Sequence, residues 1–216
     1  MRTRAWGRRI GCGLAVLATA AALAGCTGQP AEDPPPLIVP GRPGEPASTV
    51  PRNQVSVPVT PPSPADVRFV QDMIVHHQQA VEMTKLVPDR AARDEVKRVA
   101  DRIAGVQGPE IDAMNNWLRG HGQPTVDPEH AAHQGHDAAT MPGMATPAQL
   151  DELRAARGAD FDALFLRLMV THHEGGVSMA GQIQRTGSDI RVQEIAEDVV
   201  ATQTAEINRM KGMQGH

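Results

Sequence analysis

No tyrosine occurs in this chain of 216 residues, and aromatic side chains make up only 2% of it. A core must therefore be assembled from Leu, Ile, Val, Ala and Met, which suits helix packed on helix better than a sheet and points to an all-α fold. Signatures of the commoner catalytic classes are missing too: there is no nucleophile elbow, no HExxH, no phosphate-cradling glycine loop and no CxxC pair. Hydrolase, zinc-protease, nucleotide-binding and thiol-redox chemistry has no support, and no catalytic activity is indicated. Cysteine is limited to Cys12 and Cys26.

Both cysteines belong to the N-terminal region. Arg2, Arg4, Arg8 and Arg9 precede the apolar run IGCGLAVLATAAALAGC, too short to span a bilayer as a mature helix, and residues 1–25 read as a signal peptide. Its end, Leu23-Ala24-Gly25-Cys26, resembles the lipobox of bacterial lipoproteins, which implies cleavage before Cys26, lipid on its sulfur and a membrane as partner. An ordinary secretory signal with an incidental cysteine is the alternative. Cys12 leaves with the signal, so the lipidated chain has no free thiol and no disulfide. Loss of the four arginines from 21 Lys+Arg leaves 17 against 25 Asp+Glu, a mature balance of −8. That charge repels phosphate backbones and excludes nucleic acid as a partner.

The rest of the chain divides into a tether and a helical region. Residues 26–64 are crowded with proline (PAEDPPPLIVPGRPGEP, then PRNQVSVPVTPPSP) and show no helical period, the pattern of a disordered or polyproline-like tether. Order is expected over residues 65–216. Ser63-Pro64-Ala65-Asp66 carries the signals of a capping box and opens a helix that Pro88 stops; Asp89 then caps a second helix, from about Arg90 to Arg119, with a kink at Gly108-Pro109. Thr146-Pro147-Ala148-Gln149 opens a short helix to about Arg157, a long one comes after Gly158, and after Gly187-Ser188 a last one runs from Ile190 to about Met213, capped by Ser188 or Asp189.

The two pairs of long helices repeat each other. FVQDMIVHHQQAVEM at Phe69 matches FLRLMVTHHEGGVSM at Phe165, an offset of 96 that also maps Val96 onto Val192, Ala100 onto Ala196 and Ile111 onto Ile207. One helical hairpin has been duplicated, and two such halves predict a four-helix bundle around a pseudo-twofold axis, with the helices bearing the His-His pairs facing each other.

The repeat supplies candidate metal ligands. Met73, His76, His77 and Met83 recur as Met169, His172, His173 and Met179. Imidazole suits copper, zinc and iron, and thioether sulfur favours Cu(I), so the mixture points to copper. Gln107, Glu110 and Met114, repeated as Gln203, Glu206 and Met210, supply the partner helices with an amide, a carboxylate and a thioether each. The carboxylates can hold the free ring N–H of a ligating histidine, bind metal directly, or satisfy uncoordinated imidazoles. Between the hairpins, in residues 121–146, His121, His130, His133, His136, Met141 and Met144 form a compositional metal-binding signal, with a plain linker as the alternative; Met210, Met213 and His216 are a weaker one.

FVQDMIVHHQQAVEM, MPGMATPAQLDELRAARGADFDALFLRLMVTHHEGGVSMA and ATQTAEINRM resemble the family called domain of unknown function 305, over about residues 65–214. The resemblance implies a ferritin-like four-helix bundle. At least one periplasmic member of that family binds copper, and others are secreted or lipid-anchored. The matching motif positions are His76, His77, Met83, His172, His173 and Met179, backed by Gln107, Glu110, Met114, Gln203, Glu206 and Met210. Two departures from internal symmetry stand out: Gly175-Gly176 in a helix interior, each glycine costing about 1 kcal/mol relative to alanine, and Pro109 where the second half has Ala205.

The expected protein is lipid-anchored and extracytoplasmic, and buffers or passes on copper through buried His/Met ligands, with affinity falling as pH drops through about 6.5. A second expectation is a non-metal helical interaction module whose histidines form a structural core layer and whose tether presents it to a protein partner. A ferritin-like redox enzyme needs Glu-x-x-His ligands that neither half supplies.

Overall fold

The computed structural model describes residues 37–39, 42, 44–51, 61–127 and 140–214. Residues 1–25, expected as a signal peptide, and Cys26, His130, His133, His136 and His216 lie outside the described residues. The chain divides into two units, with the boundary between Pro58 and Val59.

In the first unit a short strand pair lies within the stretch expected as a tether. Strand β1 (Leu37–Val39) pairs antiparallel with β2 (Ser48–Val50), Leu37 opposite Val50 and Val39 opposite Ser48. Ile38, Val39, Thr49 and Val50 are β-branched and favour this geometry, and Gly44 supplies the left-handed turn at φ 93°.

The second unit is all-α. It contains α1 (Pro64–Lys85), the single turn α2 (Val87–Arg90), α3 (Asp94–Gly120), the short α4 (Pro147–Ala155), α5 (Gly158–Thr186) and α6 (Ile190–Gln214). Four long helices form a bundle of two hairpins, α1–α3 and α5–α6, with α1 and α5 facing each other. Among the described residues no helix is long and apolar enough to cross a membrane.

The helix starts obey local chemistry at three points and tertiary chemistry at one. Ser63 and Asp66 form the capping box of α1, Thr146 and Gln149 that of α4, and the Asp189 carboxylate accepts from Val192 N–H at the start of α6. Asp89, expected to cap the second helix, instead lies inside α2, and α3 begins only at Asp94, after an N-cap at Arg93 that makes no side-chain capping bond. Its neighbouring amides are satisfied from across the bundle: Asp162 of α5 accepts from Ala92 N–H at 3.1 Å and Arg93 N–H at 2.9 Å. Asp66 does the same at the opposite end, accepting from Ser188 N–H at 3.1 Å. Asp66 and Asp162 are related by the offset of 96, as are Ala92 and Ser188. Each hairpin thus caps the turn of the other, which fixes α1 antiparallel to α5. Proline at 109 leaves α3 a single element.

Two apolar clusters fill the bundle. One joins Met83, Val96, Ile103, Phe161, Phe165, Met169 and Met210; the other joins Val70, Met73, Met114, Leu118, Met141, Val192 and Val199. Between them, along every long helix, lies a stretch of buried polar side chains.

Candidate metal centre

That polar layer is the duplicated motif. His76 and His77 come from α1, Gln107 and Glu110 from α3, His172 and His173 from α5, Gln203 and Glu206 from α6. All four imidazoles are fully buried. Adjacent histidines on a helix diverge by about 100°, so each pair splits its work. His76 and His172 turn to the pseudo-twofold axis and lie ring to ring, centroids 3.8 Å apart. His77 and His173 turn to their own hairpin partners: His77 Nε2 lies 2.8 Å from Glu110 Oε2, and His173 Nε2 2.8 Å from Glu206 Oε2.

Donor accounting shows what the layer can do. A carboxylate only accepts, so Nε2–H donates in both pairs, and in the neutral ring Nδ1 then carries a bare lone pair. His76 Nε2 is 3.1 Å from the Pro142 carbonyl and donates to it, which leaves its Nδ1 bare as well. Nδ1 of His76, His77 and His173 and both ring nitrogens of His172 have no hydrogen-bond partner in the protein. Desolvation pushes the His76 imidazole down to about 3, and repulsion from His77 adds to it against the opposing Pro142 bond. His172 is lowered well below the ordinary histidine value, first by burial and then by the neighbouring imidazoles. These two rings are held neutral, the form that coordinates a metal, far below the pH of about 6.5 at which an unperturbed histidine protonates.

The methionines divide between the two sides of the layer. Met73 and Met83 are ten residues apart, about 15 Å along the helix, and enter different apolar clusters, so they cannot share one ion. Met73 and Met114 lie together on one side, Met169 and Met210 on the other, joined there by Met83. Met179 is only partly buried and lines a surface cleft with Arg68, Phe69 and Asp72. Among the described residues no three His, Cys, Asp or Glu side chains converge as ligands.

The segment between hairpins contributes through residues 141–145. Met141 is buried in the same apolar cluster as Met73 and Phe69, with Met144 packed against that cluster. Gln79 grips this segment with both amide atoms, donating to the Ala145 carbonyl at 2.9 Å and accepting from its N–H at 2.7 Å. At the symmetry-related position stands Gly175, where a Cβ would lie 2.8 Å from Gly143 Cα and closer still to the Pro142 carbonyl. Gly143 itself adopts φ 78°. The glycine that breaks the helical pattern in sequence is therefore a seat for the strap that covers His76, and α5 runs through it unbroken. Gly176 gives room to Gln203 in the same way. His121, by contrast, packs against Trp117 with centroids 4.4 Å apart and the rings tilted by 41°, and bonds the Trp117 carbonyl through Nδ1.

Gln79, Gly143 and Asp162 are the residues that sequence reasoning missed, and Gly175 stood out there only as a helix-breaking departure from symmetry. Asp162 was visible as the image of Asp66 at offset 96, whereas Gln79 and Gly175 mark where the duplication departs from itself.

A bundle of two duplicated hairpins around a His/Gln/Glu layer defines the class, and the chain belongs to the DUF305 family, a domain of unknown function whose model matches residues 66–214. It is similar to a DUF305 protein of Streptomyces coelicolor, named as a secreted protein, at 37% identity, covering 69% of this chain and 91% of that one with a TM-score of 0.61. A DUF305 fragment from Deinococcus radiodurans is 32% identical, covering 72% and 99%, with a TM-score of 0.62. CopM in its Cu(II)-bound form is 29% identical over 69% of this chain and 95% of its own, with a TM-score of 0.59, and its Cu(I)-bound, silver-bound and apo forms are similar too. No curated protein matches the chain.

Proposed function

We propose that this protein binds copper outside the cytoplasm, anchored by lipid on Cys26, and that it buffers or transfers the metal and does no catalysis. Unpartnered nitrogens on four fully buried imidazoles, one with a bare lone pair on each neutral ring, carry the reading. Each orphaned polar group costs about 1–3 kcal/mol in an apolar interior, and a bound soft cation would recover that loss. Thioethers on both sides of the layer supply the remaining donors, with Glu110 and Glu206 orienting His77 and His173. Similarity to copper-bound CopM and to a protein named as secreted supports the metal and the location. His121, His130, His133, His136, Met141 and Met144 would serve as a lower-affinity collector.

A second reading is favoured by the two 2.8 Å histidine–carboxylate bonds, which satisfy part of the layer with no metal at all. In that reading the bundle is an interaction module for a protein partner. Titration of the thiol-free chain (Cys12→Ser, Cys26→Ser) with Cu(I), Cu(II) and Zn(II) separates the two. Copper uptake that outcompetes a chromophoric chelator and disappears in the His76→Ala, His77→Ala, His172→Ala, His173→Ala variant is expected. Equal weak binding by both chains would leave only the inter-hairpin segment as a ligand and remove the bundle from the proposal.

A further inference from the structure

Among the described residues four large hydrophobic side chains are exposed, and three of them are consecutive: Leu37 at 36%, Ile38 at 73% and Val39 at 42%, with Ile190 the fourth. Strand alternation sends Leu37 and Val39 to one face of the β1–β2 ladder, where Val50 stands opposite Leu37, and sends Ile38 to the other face, opposite Thr49. Both faces of β1 are therefore apolar, unlike a strand that covers a core on one side and meets water on the other. The sheet has two strands only, a size that is marginal in water by itself.

Three observations decide what surrounds this strand. Prolines bracket it: Pro36 and Pro40 flank Leu37–Val39, and Pro51 follows Val50. Proline donates no ladder hydrogen bond, so a strand this short and so bracketed is a poor template for an added strand of another protein. Charge is close to balance, with Arg42 and Arg52 against Glu32, Asp33 and Glu45 between Cys26 and Pro58, a net of −1 (2 − 3). The attraction must therefore be apolar, and a partner that covers one face would leave the other bare, whereas an apolar medium takes both. Leu37 also follows Cys26 by eleven positions (37 − 26), a stretch that spans at most about 40 Å. Lipid on Cys26 would hold β1 within that distance of a bilayer and make its contact with the surface intramolecular, so that a few apolar side chains suffice.

Resting on the lipid-anchor reading above, we infer that the β1–β2 ladder is a second, apolar membrane contact, with β1 lying in the head-group layer of the bilayer that holds Cys26. Leu37, Ile38 and Val39 dip into the upper acyl region. The outer N–H and C=O groups of the ladder stay hydrated, and they set the depth, because an open sheet edge cannot enter hydrocarbon.

Hydrogen exchange tests this on the chain from Cys26 to His216, coupled through the Cys26 sulfur to a maleimide lipid in phosphatidylcholine vesicles. Amides of residues 37–50 should exchange about tenfold more slowly than in the Cys26→Ser chain mixed with the same vesicles. High salt should leave the difference intact. Ile38→Thr with Val39→Thr should remove it from the coupled chain; threonine keeps the β-branch and the strand preference, and equal exchange by the uncoupled variant and the uncoupled parent shows that the ladder still forms. A coupled parent that exchanges as fast as the uncoupled one overturns the membrane contact while the anchor stands. Slowing that appears only when cell-envelope proteins are added overturns it too, and assigns β1 to a protein partner. Mass spectrometry of the protein purified from its own cells addresses the anchor separately: acylated Cys26 is expected, and an unmodified Cys26 thiol overturns the anchor and, with it, the contact.

Discussion

Gly175 shows how a single residue can contradict its own propensity scale. Alanine is the better helix former by about 1 kcal/mol, yet at this position its methyl would collide with Pro142 and Gly143. Both obstacles are backbone, so neither can rotate away. Gly175→Ala should therefore lower stability by about 1–3 kcal/mol, the usual penalty of overpacking, and release residues 141–145 from the bundle. Gly181, on the same helix, has only the end of Arg185 within reach of an added Cβ. There the substitution should stabilise by about 0.4–1 kcal/mol through chain entropy and propensity. Thermal denaturation of the two variants side by side checks the pair of opposite signs, and limited proteolysis after residue 140 reports whether the strap has lifted.

At the level of elements, the reciprocal caps decide how the hairpins dock. Asp162 holds two amides at the entry of α3, and Asp66 holds Ser188 while also closing the capping box of α1. Removing a capping carboxylate costs about 0.5–2 kcal/mol. Asp162→Ala is expected at the upper end of that range, because the residue is buried and its two amides have no local substitute. Asp66→Ala should cost at least as much. The two sit at opposite ends of the bundle, so their effects should add, and a double variant measured by urea denaturation would expose any coupling. The capping boxes at Ser63 and Thr146 were legible in the sequence, because all their partners lie within three residues. Asp89 was misread for the complementary reason: a good N-cap residue came after Pro88, but the amides that needed capping found Asp162, 70 and 69 residues away. The duplicated register held the clue, since it carries Asp66 onto Asp162.

Across the whole molecule, the polar layer couples stability to pH. The unfolded chain takes up a proton at His76 near 6.5, whereas the folded chain refuses it until about 3. Between those values the unfolded state binds more protons, so stability is undiminished above pH 6.5 and falls as pH drops through the window. The slope is up to about 1.4 kcal/mol per pH unit from His76. His172, lowered in the same direction, adds to it. Chemical denaturation at several pH values between about 4.5 and 7 should show this dependence, and the quadruple histidine variant should lose it. A metal-independent slope of that kind also means that acid weakens the fold before it protonates His76 and His172 in place, so release of the proposed metal on acidification should track unfolding.

The sequence by itself determined the all-α class, the four long helices, the internal duplication and the residues of the polar layer. Each of these is written in periodicity, in short-range capping chemistry or in a fixed offset, and all three survive without knowledge of the neighbours. Only the tertiary structure decided that His76 and His172 meet on the axis while His77 and His173 turn to their carboxylates, and that Met73 and Met83 part to opposite sides. The strap fits over Gly175, and one carboxylate reaches solvent while its twin does not. Those outcomes depend on which helix faces which and on how closely backbones approach, and a one-dimensional pattern of residue types carries no record of distance.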